Sequence, residues 1–98
     1  KKDSSKKVRK VVYERLGPVG HLDDMLGDRS ADIRYLGVSF APMGYKGLSS
    51  MVNEIARSVF CELINKINKN DLPLLLANRN LKEKYIAESF QRRMESGI

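Results

Sequence analysis

One histidine and one cysteine are all this chain offers by way of imidazole or thiolate ligands for a metal and of side chains that titrate near neutral pH. His21 lies in a glycine-rich stretch, with no long helix or strand to hold its tautomer as Ser-His-Asp chemistry requires. Cys61 is expected on the polar side of a helix beside Glu62, and a neighbouring carboxylate opposes thiolate formation. A single Cys and a single His are too few to build a zinc site from this chain. Asp23, Asp24, Asp28 and Asp32 form an acidic run, but it lacks the D-x-D-x-D-G order and terminal Glu of a calcium loop. It reads as a solvated acidic face that can pair with basic residues elsewhere in the chain. No glycine pattern matches a phosphate-cradling loop. Lys46-Gly47-Leu48-Ser49 has the make-up of a helix N-terminus that could meet an anion, with the spacing of a cap rather than of a nucleotide loop. We therefore expect a non-enzymatic protein with no catalytic residue, cofactor, metal or small-molecule substrate.

The chemistry that remains is cationic, and it is unevenly distributed. Residues 1–15 hold seven of the 18 Lys and Arg residues against Asp3 and Glu14, a net of +5, while residues 16–98 net only +1. A polyanion would be drawn to the arm and largely ignored by the body. Lys6, Lys7, Arg9 and Lys10 are thus candidate nucleic-acid contacts, and the paired basic clusters also suit nuclear import. A second candidate group sits near the C-terminus. Lys82, Tyr85, Arg92 and Arg93, with Ser89, fall within about 100° of a helical wheel, a cationic strip with one aromatic suited to phosphate or single-strand contact. Glu88 precedes Arg92 by four residues, so an exposed intrahelical ion pair accounts for part of that strip.

Between arm and body runs VRKVVYERLGPV, residues 8–19. Its ERLGP portion, following basic and β-branched residues, resembles the short RLG-type motifs of some nuclear zinc-finger and mRNA-processing proteins. The resemblance covers about an eighth of the chain. It implies a peptide that docks onto a partner or onto RNA, with Tyr13, Arg15, Leu16 and Pro18 as its contacts. The competing reading is a Gly17-Pro18 turn after a short extended segment.

These groups need elements to hold them. Residues 1–15 form a basic and flexible arm. Within it Val8, Val11, Val12, Tyr13 and Leu16 would order as a strand or short helix only against another surface. Residues 16–47 contain six of the seven glycines with Pro18 and Pro42, so turns dominate. Two islands interrupt them: residues 21–26 as one or two helical turns, and residues 33–40 as a β-rich segment that Ser30 or Asp32 could equally cap as a helix. Residues 48–98 should specify the fold. A long helix is expected over residues 49–69, capped by Ser49 or Ser50, with an apolar arc of roughly 200°, about twice the usual buried stripe. Residues 72–77 follow as a short apolar helix with Asp71 as cap and Pro73 in its first turn. Asn80 then caps a helix over residues 81–95, with Ile86, Ala87, Phe90 and Met94 on its apolar face.

The fold class is therefore mostly α: a small helical domain behind a glycine-rich irregular middle and a basic arm. An arc that wide on so short a chain calls for neighbours on two sides. Val52, Ile55, Val59, Phe60, Leu63 and Ile67 would carry either the core or a dimer seam, so a homodimer or an obligate protein partner is expected. With 42% hydrophobic and 31% charged residues the composition is that of a soluble globular domain. No apolar run approaches the ~20 residues of a membrane span. The missing initiator methionine leads us to expect a segment of a longer protein. A lone cysteine favours a reducing compartment, nuclear or alternatively cytoplasmic. The expected function is a protein-protein interaction or dimerisation module of a nuclear, RNA- or chromatin-associated protein. The alternative is direct RNA or DNA binding through the arm and the last helix.

Overall fold

The computed structural model describes residues 6–16 and 20–96, and the side chains of Lys6 and Leu16 lie outside that description. The described chain is mostly α, as expected. It holds the helices α1 (Lys6–Leu16), α2 (Leu22–Leu26), α3 (Ala31–Phe40), α4 (Arg57–Lys66) and α5 (Lys84–Glu95). Three 3-10 segments, Lys46–Met51, Lys69–Leu75 and Arg79–Lys82, link them. Helices α3 and α4 pack together at the centre; α1 and α2 lie against α3, and α5 lies against α4 and the two later 3-10 segments.

Periodicity explains the core. Val59, Phe60, Leu63 and Ile64 recur at the spacing of one helical face and are fully buried, as is Ile67 just beyond the helix. Ile33 and Val38 of α3 and Ile86 of α5 are buried as completely. The broad apolar arc of residues 48–67, Ile55 excepted, is thus covered by the chain's own middle and C-terminal parts. The glycine-rich stretch contributes a core helix, α3, rather than turns alone. Gly37 makes that packing possible: a Cβ there would lie 2.9 Å from the Cβ of Met25 on α2. Gly44, at φ +77°, takes the left-handed turn after α3, and its amide donates to the Lys66 carbonyl at 2.7 Å.

The expected continuous helix over residues 49–69 is divided. It consists of the 3-10 segment Lys46–Met51, an irregular loop over residues 52–56, and α4. Ser49 and Ser50 do not cap a helix; their hydroxyls donate to the carbonyls of Lys46 and Gly47. Asn68, rather than Asp71, caps the next segment by accepting from the Asn70 amide at 2.9 Å. That segment is 3-10, with Pro73 inside it. The last helix begins at Lys84, and the cap ahead of the 3-10 turn Arg79–Lys82 is Asn78, which accepts from the Asn80 amide at 2.8 Å.

Helix C-termini expose carbonyls without intrahelical donors, and three cations answer them. The Lys66 ammonium donates to Ser39 and Ala41 carbonyls at 2.9 and 2.6 Å, closing α3. The Arg93 guanidinium donates to the Ile64 carbonyl and, at 3.0 Å, to that of Ile67, closing α4. Lys69 donates to the Ser96 carbonyl at the end of α5. Each of these three C-terminal ends is held by a side chain from elsewhere in the bundle.

Candidate functional site

The break before α4 is built around Glu54. Its carboxylate, with a side chain only 4% exposed, accepts Arg34 Nε on Oε1 at 2.8 Å and Nη2 on Oε2 at 2.9 Å. Oε2 also accepts the Ala56 amide at 2.9 Å, so the same carboxylate anchors the residue that precedes α4. The backbone is tied down from the other side. Asn78 Nδ2 donates to the carbonyls of Val52 and Glu54 at 2.9 and 3.0 Å, and Asn80 Nδ2 donates to that of Glu54 at 3.0 Å. Arg34 Nη1 reaches back to the Asp28 carbonyl at 2.8 Å. Every buried side-chain polar atom among the described residues has a partner, which is the condition for a buried polar network to rigidify its surroundings rather than weaken them.

The consequence is an exposed Ile55. Placed between the pinned Glu54 and Ala56, it is 84% exposed at the tip of the loop. Beside it opens a cleft of about 520 Å³, lined by residues 53–55, Arg57 and residues 77–80, 82 and 83. Glu54, Asn78 and Asn80 belong to both the lining and the network beneath it. On the rim Arg57 Nη1 meets Glu83 Oε2 at 3.3 Å, with side chains 60% and 44% exposed. Arg79 and Lys82 line the same cleft and have no ion-pair partner among the described residues. Leu74 and Leu76, on the chain leading into it, are exposed as well.

The residues singled out from the sequence are dispersed by the structure. Of the apolar set, Val59, Phe60, Leu63 and Ile67 are fully buried within this chain and Val52 is partly buried against the same core, whereas Ile55 faces solvent. Lys7 and Lys10 are exposed on α1. Arg9 is engaged: Nε and Nη2 bond the Asp28 carboxylate at 2.8 and 3.0 Å. The acidic run thus pairs with the arm. Burial alone would raise the Asp28 carboxyl, but the Arg9 guanidinium and the Ser30 amide, 2.8 Å away, outweigh it and hold the group below its ordinary value. Residues 6–15 of the arm expected to be flexible belong to helix α1, which lies against α3 and is tied by this pair to the connection between α2 and α3. Tyr85 on α5 is 55% exposed; Lys82, at the end of the 3-10 segment before α5, and Arg92 on α5 are exposed too, Arg92 donating to the Ser89 hydroxyl. Arg93 is turned inward to cap α4. Of the ERLGP contacts, Tyr13 is half-buried with its ring 6.0 Å from that of His21, and Arg15 is exposed. Pro18 and the Leu16 side chain lie outside the described residues.

Burial and the nearby Glu62 push the Cys61 thiol above its usual pKa, in the direction the sequence suggested. No helix among the described residues is long and apolar enough to cross a membrane. The cleft itself was missed by sequence reasoning. Its faint signal was the Asn78-x-Asn80 pair, two side chains able to donate to irregular backbone. Comparison of the chain with protein-family models, with curated proteins and with solved structures gives no match.

Proposed function

We propose that this chain is a non-enzymatic protein-docking module, and that its partner seats on Ile55 and the cleft beside it. The carrying observation is that Ile55 is 84% exposed on a loop whose neighbouring residues are pinned from both sides. Isolated apolar side chains on a surface are ordinary. This one is held in place before any partner arrives, so little ordering entropy is lost when it is covered. The adjoining cleft falls within the ~300–1,000 Å³ range of binding pockets. Burial of Val59, Phe60, Leu63 and Ile67 within the chain moves the expected interface away from those residues and onto this loop. The nuclear, RNA- or chromatin-associated setting rests on the basic clusters of residues 1–10.

The test is selection of a random 12-residue peptide library on the wild-type chain, with an Ile55→Asp variant as counter-target. Peptides whose affinity falls at least ~10-fold on Ile55→Ala, at unchanged melting temperature, support the reading. Failure to enrich any Ile55-dependent peptide refutes it.

A second reading, direct nucleic-acid contact, is favoured by one observation, the exposed Tyr85 between Lys82 and Arg92. Arg9 and Arg93 are spent internally, and α1 and α5 pack on different helices. That contact would therefore be confined to α5 and the 3-10 segment before it. Binding of a single-stranded RNA 12-mer that weakens steeply with salt and is lost in Arg92→Glu supports it; an unchanged titration of that variant sinks it.

A further inference from the structure

We infer that the cleft takes an acidic peptide segment carrying an aliphatic side chain, and that Glu83 is a built-in competitor for that segment's carboxylates. The inference rests on the docking reading above and adds the chemistry of the partner. Charge decides the occupant. Glu54 is neutralised by Arg34 below the surface, and Glu83 by Arg57 on the rim, which leaves Arg79 and Lys82 uncompensated over the opening. A planar guanidinium such as Arg79 matches a carboxylate in a bidentate fork, and Lys82 adds a mobile point charge three residues on.

Ile55 supplies an aliphatic contact, which an aliphatic side chain of the segment would cover. A nucleic acid fits the cleft less well. No aromatic side chain lines it, so the bases of a nucleic acid find no stacking platform there.

The rim pair turns this into a sharper statement. At 3.3 Å and largely exposed, Arg57–Glu83 is the kind of ion pair that contributes little to stability. An incoming carboxylate can displace Glu83 from Arg57 without disturbing the fold. Glu83 precedes α5 and contributes through its backbone carbonyl, which accepts the Ile86 and Ala87 amides, so its carboxylate is dispensable for the helix.

The peptide selection tests the composition directly. Ile55-dependent peptides should be enriched in Asp and Glu over the input library, around a Leu, Ile or Val. The best of them, labelled with fluorescein and titrated by anisotropy, should bind ~2- to 5-fold tighter to Glu83→Gln and weaker by a similar factor to Lys82→Gln, with a larger loss in Arg79→Glu. Ile55-dependent peptides that are neutral or basic overturn the inference and leave the docking reading standing. Weaker binding to Glu83→Gln, with that variant melting as the wild type, overturns the competitor role. An absence of Ile55-dependent peptides removes the docking reading itself.

Discussion

Replacing Glu54 with alanine removes the acceptor for three donors at once. The Arg34 guanidinium loses both bonds to the carboxylate and the Ala56 amide loses its only one from that side chain. Breaking a buried ion pair by deleting one member costs ~3–5 kcal/mol, because the surviving charge stays buried. Arg34 is 17% exposed and keeps its bond to the Asp28 carbonyl, which lowers this to about 2–3 kcal/mol. The orphaned amide adds about 1 kcal/mol. A total near 3–4 kcal/mol is a large fraction of the ~5–15 kcal/mol that holds a typical domain together. With a urea m-value of about 1–1.5 kcal/mol/M, the midpoint should fall by ~2–4 M. The assay is urea unfolding followed by circular dichroism on wild type, Glu54→Ala, Glu54→Met, Arg34→Met and the Arg34→Met/Glu54→Met double variant. Replacing both charged groups by apolar ones removes the stranded charge, so the double variant should lose far less than the single losses combined. The exposed Arg57–Glu83 pair, treated in the same way, should give a coupling energy below about 1 kcal/mol. A Glu54–Arg34 coupling no larger than that would refute the claim that this pair braces the loop.

Gly37→Ala should destabilise the domain by ~1–3 kcal/mol in the same unfolding assay, because the new methyl meets Met25 Cβ at 2.9 Å and cannot swing aside; the roughly 1 kcal/mol gained in helix propensity does not offset it. Arg93→Gln should lower the melting temperature by removing the cap on α4, while Arg92→Gln leaves it unchanged; equal effects of the two would contradict the inward placement of Arg93. Asp28 has a folded pKa below that of the unfolded chain, so the stability it adds is present above about pH 4 and lost as pH falls through the lower folded value. Wild type should therefore melt above Asp28→Asn by a constant margin from pH 8 to 5, and the margin should close below pH ~4.

The features legible without coordinates were local ones. The 59-60-63-64-67 spacing marks a buried helical face, and Ile86 and Phe90 mark another, because a helical period depends only on nearest turns. Val8, Val11 and Val12 already had helical spacing, but the arm needed a surface to order on, and Asp28 supplies part of it 19 residues away from Arg9. The Gly37 interruption read as β-rich or irregular because a glycine in a short segment is ambiguous until the close approach of α2 gives it a purpose. The same limit governs the candidate site. Nothing within a helical turn of Glu54 opposes a continuous helix. The break is imposed by Arg34, 20 residues before it, and by Asn78 and Asn80, 24 and 26 residues after it. A buried carboxylate with two guanidinium bonds and an amide is better satisfied than one on the polar side of a long helix. Composition and period thus settle an α-helical chain with a cationic arm, since both act over a few residues. Which cations are spent on helix ends, and which isoleucine faces water, depend on groups distant in sequence whose bonds exist only once the chain has closed on itself.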